Sequence, residues 1–315
     1  MSYFRNELRR IAYKLDYMGI RVQLRFFPRN RQTVSLYFHN LGNDLQGLFQ
    51  VADPLNAALL SDVEEIIERF LALGFRSVSP QELSDDSIPK KLLLTLDDGY
   101  ASNQLLIPIL KKYQAKATCF VAGHYSENNE SFWWDVVWRQ RKDNSSREKI
   151  AAENAMIKSL RYADIRAYLV KEFGEKALIP QNEHDSPMSV EELYKASRED
   201  RFFIGNHTYH HESLANLTTP EEVMQELAQD DDFFNRHNIV HIPAFAYPYG
   251  HYSEMARAAV MDSNIKWAFT IKPTSNSDKC DSSLIGRNAF YPDIPLGRQV
   301  DLLRGFSMLA LLLGR

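Results

Sequence analysis

Residues 92–100 read Leu-Leu-Leu-Thr-Leu-Asp-Asp-Gly-Tyr, and this stretch decides the fold. The apolar run Leu92–Leu96 is what a strand buried on both faces requires, and such strands belong to parallel sheets covered by helices. At its end stand two adjacent carboxylates, Asp97 and Asp98, followed by Gly99. Like charges this close repel, and one acid's pKa rises unless a cation intervenes. A divalent metal bound by one carboxylate relieves the repulsion and leaves the other free as a base. The bland alternative is a solvated Asp-Asp-Gly turn.

Strand-like and helix-like stretches alternate on both sides of this segment. Val34–Phe38, Phe75–Ser79, Ala117–Val121, Phe202–Gly205, Pro243–Tyr247 and Trp267–Ile271 read as further strands, about seven in all. Between them, Ser61-Asp62-Val63-Glu64, Ser189-Val190-Glu191-Glu192 and Thr219-Pro220-Glu221-Glu222 open helices, the first two as capping boxes and the third with proline in the first turn. Val63, Ile66, Ile67, Phe70 and Leu71 form a buried stripe that Gly74 terminates. Repeated βα units predict an α/β barrel whose site lies at the C-terminal strand ends. The interval 126–188 is too long for one connection and reads as a helical insertion carrying Trp133, Trp134 and Trp138. It forms one wall of a cleft, or its tryptophans simply pack it on the barrel, the reading favoured for at least two of them.

The 315 residues suit one barrel of about 250 residues with additions. A composition of 44% hydrophobic and 25% charged residues excludes disorder and fibrous repeats. A net charge of −4 excludes a general nucleic-acid binder. Cys119 and Cys280 make no disulfide framework, no secretory core opens the chain, and no apolar run reaches the ~18 residues of a membrane span. These features predict a cytoplasmic protein. Charge is uneven, however: residues 1–31 hold eight basic and two acidic side chains, a balance of +6 that leaves −10 for the remainder. Phe4, Leu8, Ile11, Leu15 and Met18 recur at helical spacing, so 1–31 reads as a basic amphipathic helix that covers the barrel or rests at an anionic inner membrane face. Residues 296–315 read as an apolar C-terminal helix, and 32–295 as the barrel.

Two more motifs follow predicted strands. Gly205-Asn206-His207-Thr208-Tyr209-His210-His211 places three of the nine histidines within five residues. One helical turn would set His207 and His211 side by side as ligands for zinc or a similar ion, with His210 a bystander or an alternative partner. It is no zincin motif, because Thr208 stands where the glutamate would be. Phe245-Ala246-Tyr247-Pro248-Tyr249-Gly250 makes a bent loop whose N–H groups suit an oxyanion, or merely a structural turn.

In this order and spacing, the three motifs resemble those of the polysaccharide deacetylases of carbohydrate esterase family 4, the NodB-homology proteins. The resemblance covers roughly residues 34–290, and Ser131–Asp135 (Ser-Phe-Trp-Trp-Asp) is similar to members with a helical insertion. It implies a deformed (β/α)7 barrel and metal-dependent removal of N-acyl groups from amino sugars. It makes Asp97 the base and Asp98, His207 and His211 the ligands of a divalent ion, Zn2+ first and Co2+ or Ni2+ as alternatives. The Tyr249 N–H would serve the oxyanion. Two positions depart from the family pattern: Ala246 stands where many members have arginine, and Leu284–Ala289 lacks a late histidine. Arg287 is expected to supply the missing charge beside Asp97, while His124, His184 and His251 are candidates for the general acid. The expected partner is an amino-sugar glycan or glycolipid. Deformylation of a modified sugar, or a silent glycan-binding relative, are the competing readings.

Overall fold

The computed structural model describes residues 16–26, 29–54, 57–273, 281–292 and 294–305. Strand β1 (Gln32–Phe38), the pair β2 (Asn40–Gly42) and β3 (Ala57–Leu59), β4 (Arg76–Ser77) and β5 (Lys90–Leu96) come first along the chain. The continuous apolar run does become a central strand: all but the first residue of β5 is buried. Parallel β1 lies on one side of it, in a register that sets Phe38 beside Leu96. Then come β6 (Ala117–Val121), β7 (Phe202–Asn206), β8 (Ala244–Ala246), β9 (Trp267–Thr270), β10 (Ile285–Gly286) and β11 (Asn288–Ala289). The sheet order is β10-β9-β8-β7-β6-β5-β1-β11.

Closure of the barrel lies in the last two strands. β10 pairs with β9 and β11 pairs with β1, although only Arg287 separates them in sequence. One short segment thus spans both edges and completes seven staves, a (β/α)7-type barrel with no free edge to protect. The seventh stave is therefore residues 285–289 rather than Phe75–Ser79. Only Arg76–Ser77 of the latter is strand, and it pairs with the start of β5, before β6 joins from Leu94 onward.

The expected helices are present, with one corrected start. Leu60–Ala72 buries Val63, Ile66, Ile67 and Phe70, while Leu71 is half-buried. It begins directly from β3 with Leu59 at its cap and no side-chain cap bond, so Ser61 is already inside the helix. Ser189 and Thr219 do form capping boxes, on Val190–Ala196 and Pro220–Arg236. The insertion consists of helices Trp133–Arg141, Arg147–Ile157 and Tyr162–Phe173 around their own apolar cluster. It returns to the barrel beside the first motif, where Ala101 N–H donates to Ser186 O and Met188 N–H donates to Gly99 O.

At the termini, residues 16–26 are helical, but the side chain turned inward is Ile20, and Met18 is exposed. Phe4, Leu8, Ile11 and Leu15 lie outside the described residues, as do 306–315. Within the expected 296–315 helix, Leu296–Arg304 is helical and amphipathic, burying Gln299 and Val300. Among the described residues, no helix is long and apolar enough to cross a membrane.

Candidate metal centre and catalytic cavity

The first motif leaves β5 at its C-terminal end. Asp97 N–H donates to Phe38 O, which fixes the carboxylate over the barrel mouth. Asp98 adopts a left-handed backbone (φ 74°), a conformation that aspartate tolerates better than most residues. The two neighbouring carboxyls thereby meet different surroundings, and both are buried.

Asp97 faces Arg287. Nη1 of the guanidinium donates to Oδ1 at 2.6 Å and Nη2 to Oδ2 at 2.8 Å, a two-pronged pairing. Nη1 also donates to Thr95 Oγ1 at 3.0 Å, and Thr95 in turn donates to Leu36 O. The Arg287 side chain is fully buried, lying near the Tyr37 and Phe120 rings. Burial alone would raise the Asp97 pKa; the Arg287 charge outweighs it, with help from His207, and holds the carboxyl below its ordinary value. With alanine at 246, the guanidinium beside Asp97 comes instead from Arg287 in the closing stave, two staves along from β8.

Asp98 faces two imidazoles. Its Oδ1 lies 3.5 Å from His207 Nε2 and 3.2 Å from His211 Nε2. Burial pushes Asp98 up, but the hydrogen bonds to both histidines hold it well below the carboxylate range. Burial also lowers His211, favouring the neutral ring that a metal requires. His207 Nδ1 lies 2.7 Å from Ala246 O, an atom that can only accept, so Nδ1 carries the proton. Nε2 of the same ring points at the Asp98 carboxylate, the position a ligand nitrogen takes when a cation lies between the two.

The histidine pair converges by a tight loop, not by a helical turn. Thr208 (φ 60°) and His211 (φ 56°) are both left-handed. Thr208 N–H donates to Asn206 Oδ1 and Glu212 N–H to Thr208 Oγ1. Asp230, buried in the Pro220–Arg236 helix, accepts from both His207 N–H and Gly123 N–H. Upstream of the loop, β7 must be glycine at 205, because a Cβ there would lie 2.8 Å from Ala244 O and from the Phe120 ring. His210 is indeed a bystander, bonded to Glu226 and stacked on Tyr162.

Asp97, Asp98, His207 and His211 line a cavity of about 480 Å³. Tyr249 closes it from the third motif with a left-handed backbone (φ 57°); its hydroxyl accepts from Trp133 Nε1 at 2.8 Å. Gly250 follows because its own φ is 67° and a Cβ would come within 2.3 Å of Ile271. The insertion does build a wall, since both Trp133 and Trp134 face the cavity while remaining buried. Trp138 packs elsewhere, donating to Phe49 O.

Of the general-acid candidates, His251 lines the cavity. His124 turns away to the Tyr162 hydroxyl and Asn128, and His184 is not among the cavity-lining residues. The sequence reading missed His39, Asp53 and Lys158, which also line the cavity. His39 directly follows β1, so the strand-end rule would have found it. Asp53 and Lys158 lie far from any motif and carry no local signal.

Ligand atoms of Asp98, His207 and His211 all lie within 4.8 Å of one another, a group able to hold a metal ion. The residues fit one: Asp98 Oδ2 is buried without a hydrogen-bond partner, as is His211 Nδ1, and the donor set of one oxygen and two nitrogens suits zinc or a similar ion.

This barrel and this site define a family. Residues 84–268 match the family described as polysaccharide deacetylase, more than half of the chain, and the protein belongs to it. Among curated proteins, "Putative polysaccharide deacetylase YxkH" of Bacillus subtilis is 24% identical over 211 residues, covering 65% of this chain and 55% of that protein. The chain thus spans little more than half the length of this relative. Among solved structures, the Streptococcus pyogenes deacetylase PplD in complex with acetate superposes with a TM-score of 0.59 at 16% identity, covering 86% of this chain and 98% of PplD. IcaB from Ammonifex degensii gives 0.58 at 17% identity, covering 88% and 99%. At such identities these two likenesses establish the fold.

Proposed function

We propose that this protein is a metal-dependent hydrolase that removes N-acetyl groups from amino sugars of a polysaccharide or its lipid-linked precursor. The observation that carries the reading is the contrast within one cavity: a cation-ready trio, Asp98, His207 and His211, beside a separate carboxylate, Asp97, kept ionised by Arg287.

A divalent ion held by the trio would supply Lewis acidity, polarising the acyl oxygen and making water a better nucleophile. Asp97 accepts the proton of the attacking water, since it is ionised and faces the cavity. Arg287 keeps that carboxylate in place and charged. The Tyr249 N–H stabilises the negative charge that develops on the acyl oxygen when water attacks the acyl carbon. The amine leaves protonated; His251 and His39 both line the cavity and can hold that proton. Trp133, Trp134 and Tyr249 offer apolar faces with a few polar groups between them, the make-up of a small-ligand cavity.

The test joins elemental analysis with acetate release from N-acetylated glycans and lipid-linked amino sugars, run on the wild type and Asp97→Asn. Bound metal with acetate release that Asp97→Asn abolishes supports the reading. Release of formate from N-formyl sugars alone would make the enzyme a deformylase. Metal retained without turnover of any N-acyl sugar would make it a binding relative, and a chain free of divalent metal would end the proposal.

A further inference from the structure

The N-terminal helical segment, residues 16–26, has two apolar faces, and among the described residues only one of them packs on the protein. Through the first face it docks on the Leu296–Arg304 helix. Tyr17 OH donates to Asp301 Oδ2 at 2.9 Å, and the Arg298 guanidinium lies over the Tyr17 ring. Ile20 is 1% exposed and sits where a Cβ on Gly305 would come within 2.3 Å of it. The second face carries Met18, Val22 and Phe26, four residues apart and so in one row. They are 62%, 55% and 65% exposed. Arg21 and Arg25 are exposed between these two faces, with the Arg25 guanidinium carbon 5.7 Å from the Phe26 ring centre.

We propose that this second face docks the protein on an anionic lipid surface. Three large apolar side chains in a row flanked by arginines are the make-up of an interfacial helix, whose apolar face enters the headgroup boundary while the cations meet acidic lipid. The charge selects this occupant over a second copy of the chain. Residues 1–31 carry a balance of +6, and a symmetric pairing of this face would set like charges against each other. The rest of the chain, at −10, is repelled by the same surface, so contact is confined to this segment. The site lies apart from it. Gln32, at the start of β1, bonds to Leu303 O and Arg304 O beneath the docked helix, whereas Asp97 follows the far end of the neighbouring strand. Docking therefore leaves the cavity open, and the inference stands independently of the reaction proposed for it.

Vesicle co-sedimentation of the full chain tests it, using phosphatidylglycerol–phosphatidylcholine against pure phosphatidylcholine. The protein should sediment with the anionic vesicles and be released as salt rises. Met18→Ser/Val22→Ser/Phe26→Ser and Arg21→Glu/Arg25→Glu should each weaken partition by roughly tenfold or more. Turnover of a soluble substrate should be unchanged in both. The charge-reversed pair and the salt series decide the matter if the serine variant unfolds. No binding to anionic vesicles, or binding that both variants retain, overturns the proposal. So does a wild-type dimer by light scattering that the serine variant splits while vesicles go unbound.

Discussion

Two fully buried carboxyls, Asp97 at the barrel mouth and Asp135 in the insertion, have met opposite fates. Asp97 is paired through both oxygens with Arg287 and is held below its ordinary pKa. Asp135 accepts from Tyr100 OH at 2.6 Å and from Asp53 N–H at 2.8 Å, while Tyr100 also accepts from Trp134 Nε1. Burial pushes the Asp135 pKa well up, against the hydrogen bonds from Tyr100 and Asp53 that lower it. The difference teaches that burial alone does not make a working carboxylate. At Asp97 the opposing charge of Arg287 at contact outweighs burial, and at Asp135 two neutral donors do not. Asp135 is the structural member of the pair: it ties the insertion's first helix to the loop of Asp53 and to Tyr100 of the first motif. In that way it holds the wall that Trp133 and Trp134 present to the cavity.

The largest expected effect breaks the functional half of this contrast. Asp97→Asn should lower acetate release by about 10²–10⁴-fold, the scale of losing a general base. The metal bound per chain should stay the same, because the ligand trio is untouched. Loss of metal together with activity would show that Asp97 is a ligand rather than a base.

Next comes the counter-charge. Arg287→Ala leaves Asp97 buried and unpaired, which destabilises a protein by about 3–5 kcal/mol. With burial unopposed, the Asp97 pKa rises, so the acid limb of the kcat/KM profile should move to higher pH. Arg287→Lys should restore part of the shift, keeping the charge but losing the two-pronged bond. An acid limb that stays where it is in Arg287→Ala would remove Arg287 from this role.

How far the sequence carries this picture depends on range. Asp97, Asp98, His207, His211 and Tyr249 are legible because each sits in a short motif just beyond a strand, and a parallel barrel gathers such ends at one rim. The conformation of the His207–His211 loop is not legible, since the four-residue spacing fits a helix equally well and the outcome turns on Asn206, Thr208 and the distant Asp230. The seventh stave escapes for another reason. Ile285–Gly286 and Asn288–Ala289 are too short for any periodicity, and only closure of the ring makes them strands. Lys158 and Asp53 enter the cavity through the packing of the insertion and a connecting loop, contacts that no local pattern records.

Asp135 offers the smaller effects. Asp135→Ala strands the buried donors of Asp53 and Tyr100 and should destabilise by about 1–3 kcal/mol in thermal or urea unfolding. Near pH 4, Asp135→Asn should change stability by no more than about 1 kcal/mol, since an amide oxygen can still accept from Asp53 N–H and its NH2 can face the Tyr100 oxygen. The pH dependence separates the two acids more finely. An acid whose folded pKa is raised stabilises fully only below its unfolded value of about 3.9, and that stability drains away as pH climbs toward the folded value. Asp97 runs the other way: its contribution is present above that value and is lost as pH falls through the depressed folded pKa. Asp135→Asn should therefore gain on the wild type as pH is raised above about 4, whereas Asp97→Asn should lose ground on the acid side, as pH climbs to about 4, and hold a constant deficit above it. Melting curves for Asp135→Asn that run parallel to the wild type at every pH would mean that the acid is ionised in the folded protein, and the contrast between the two sites would be gone.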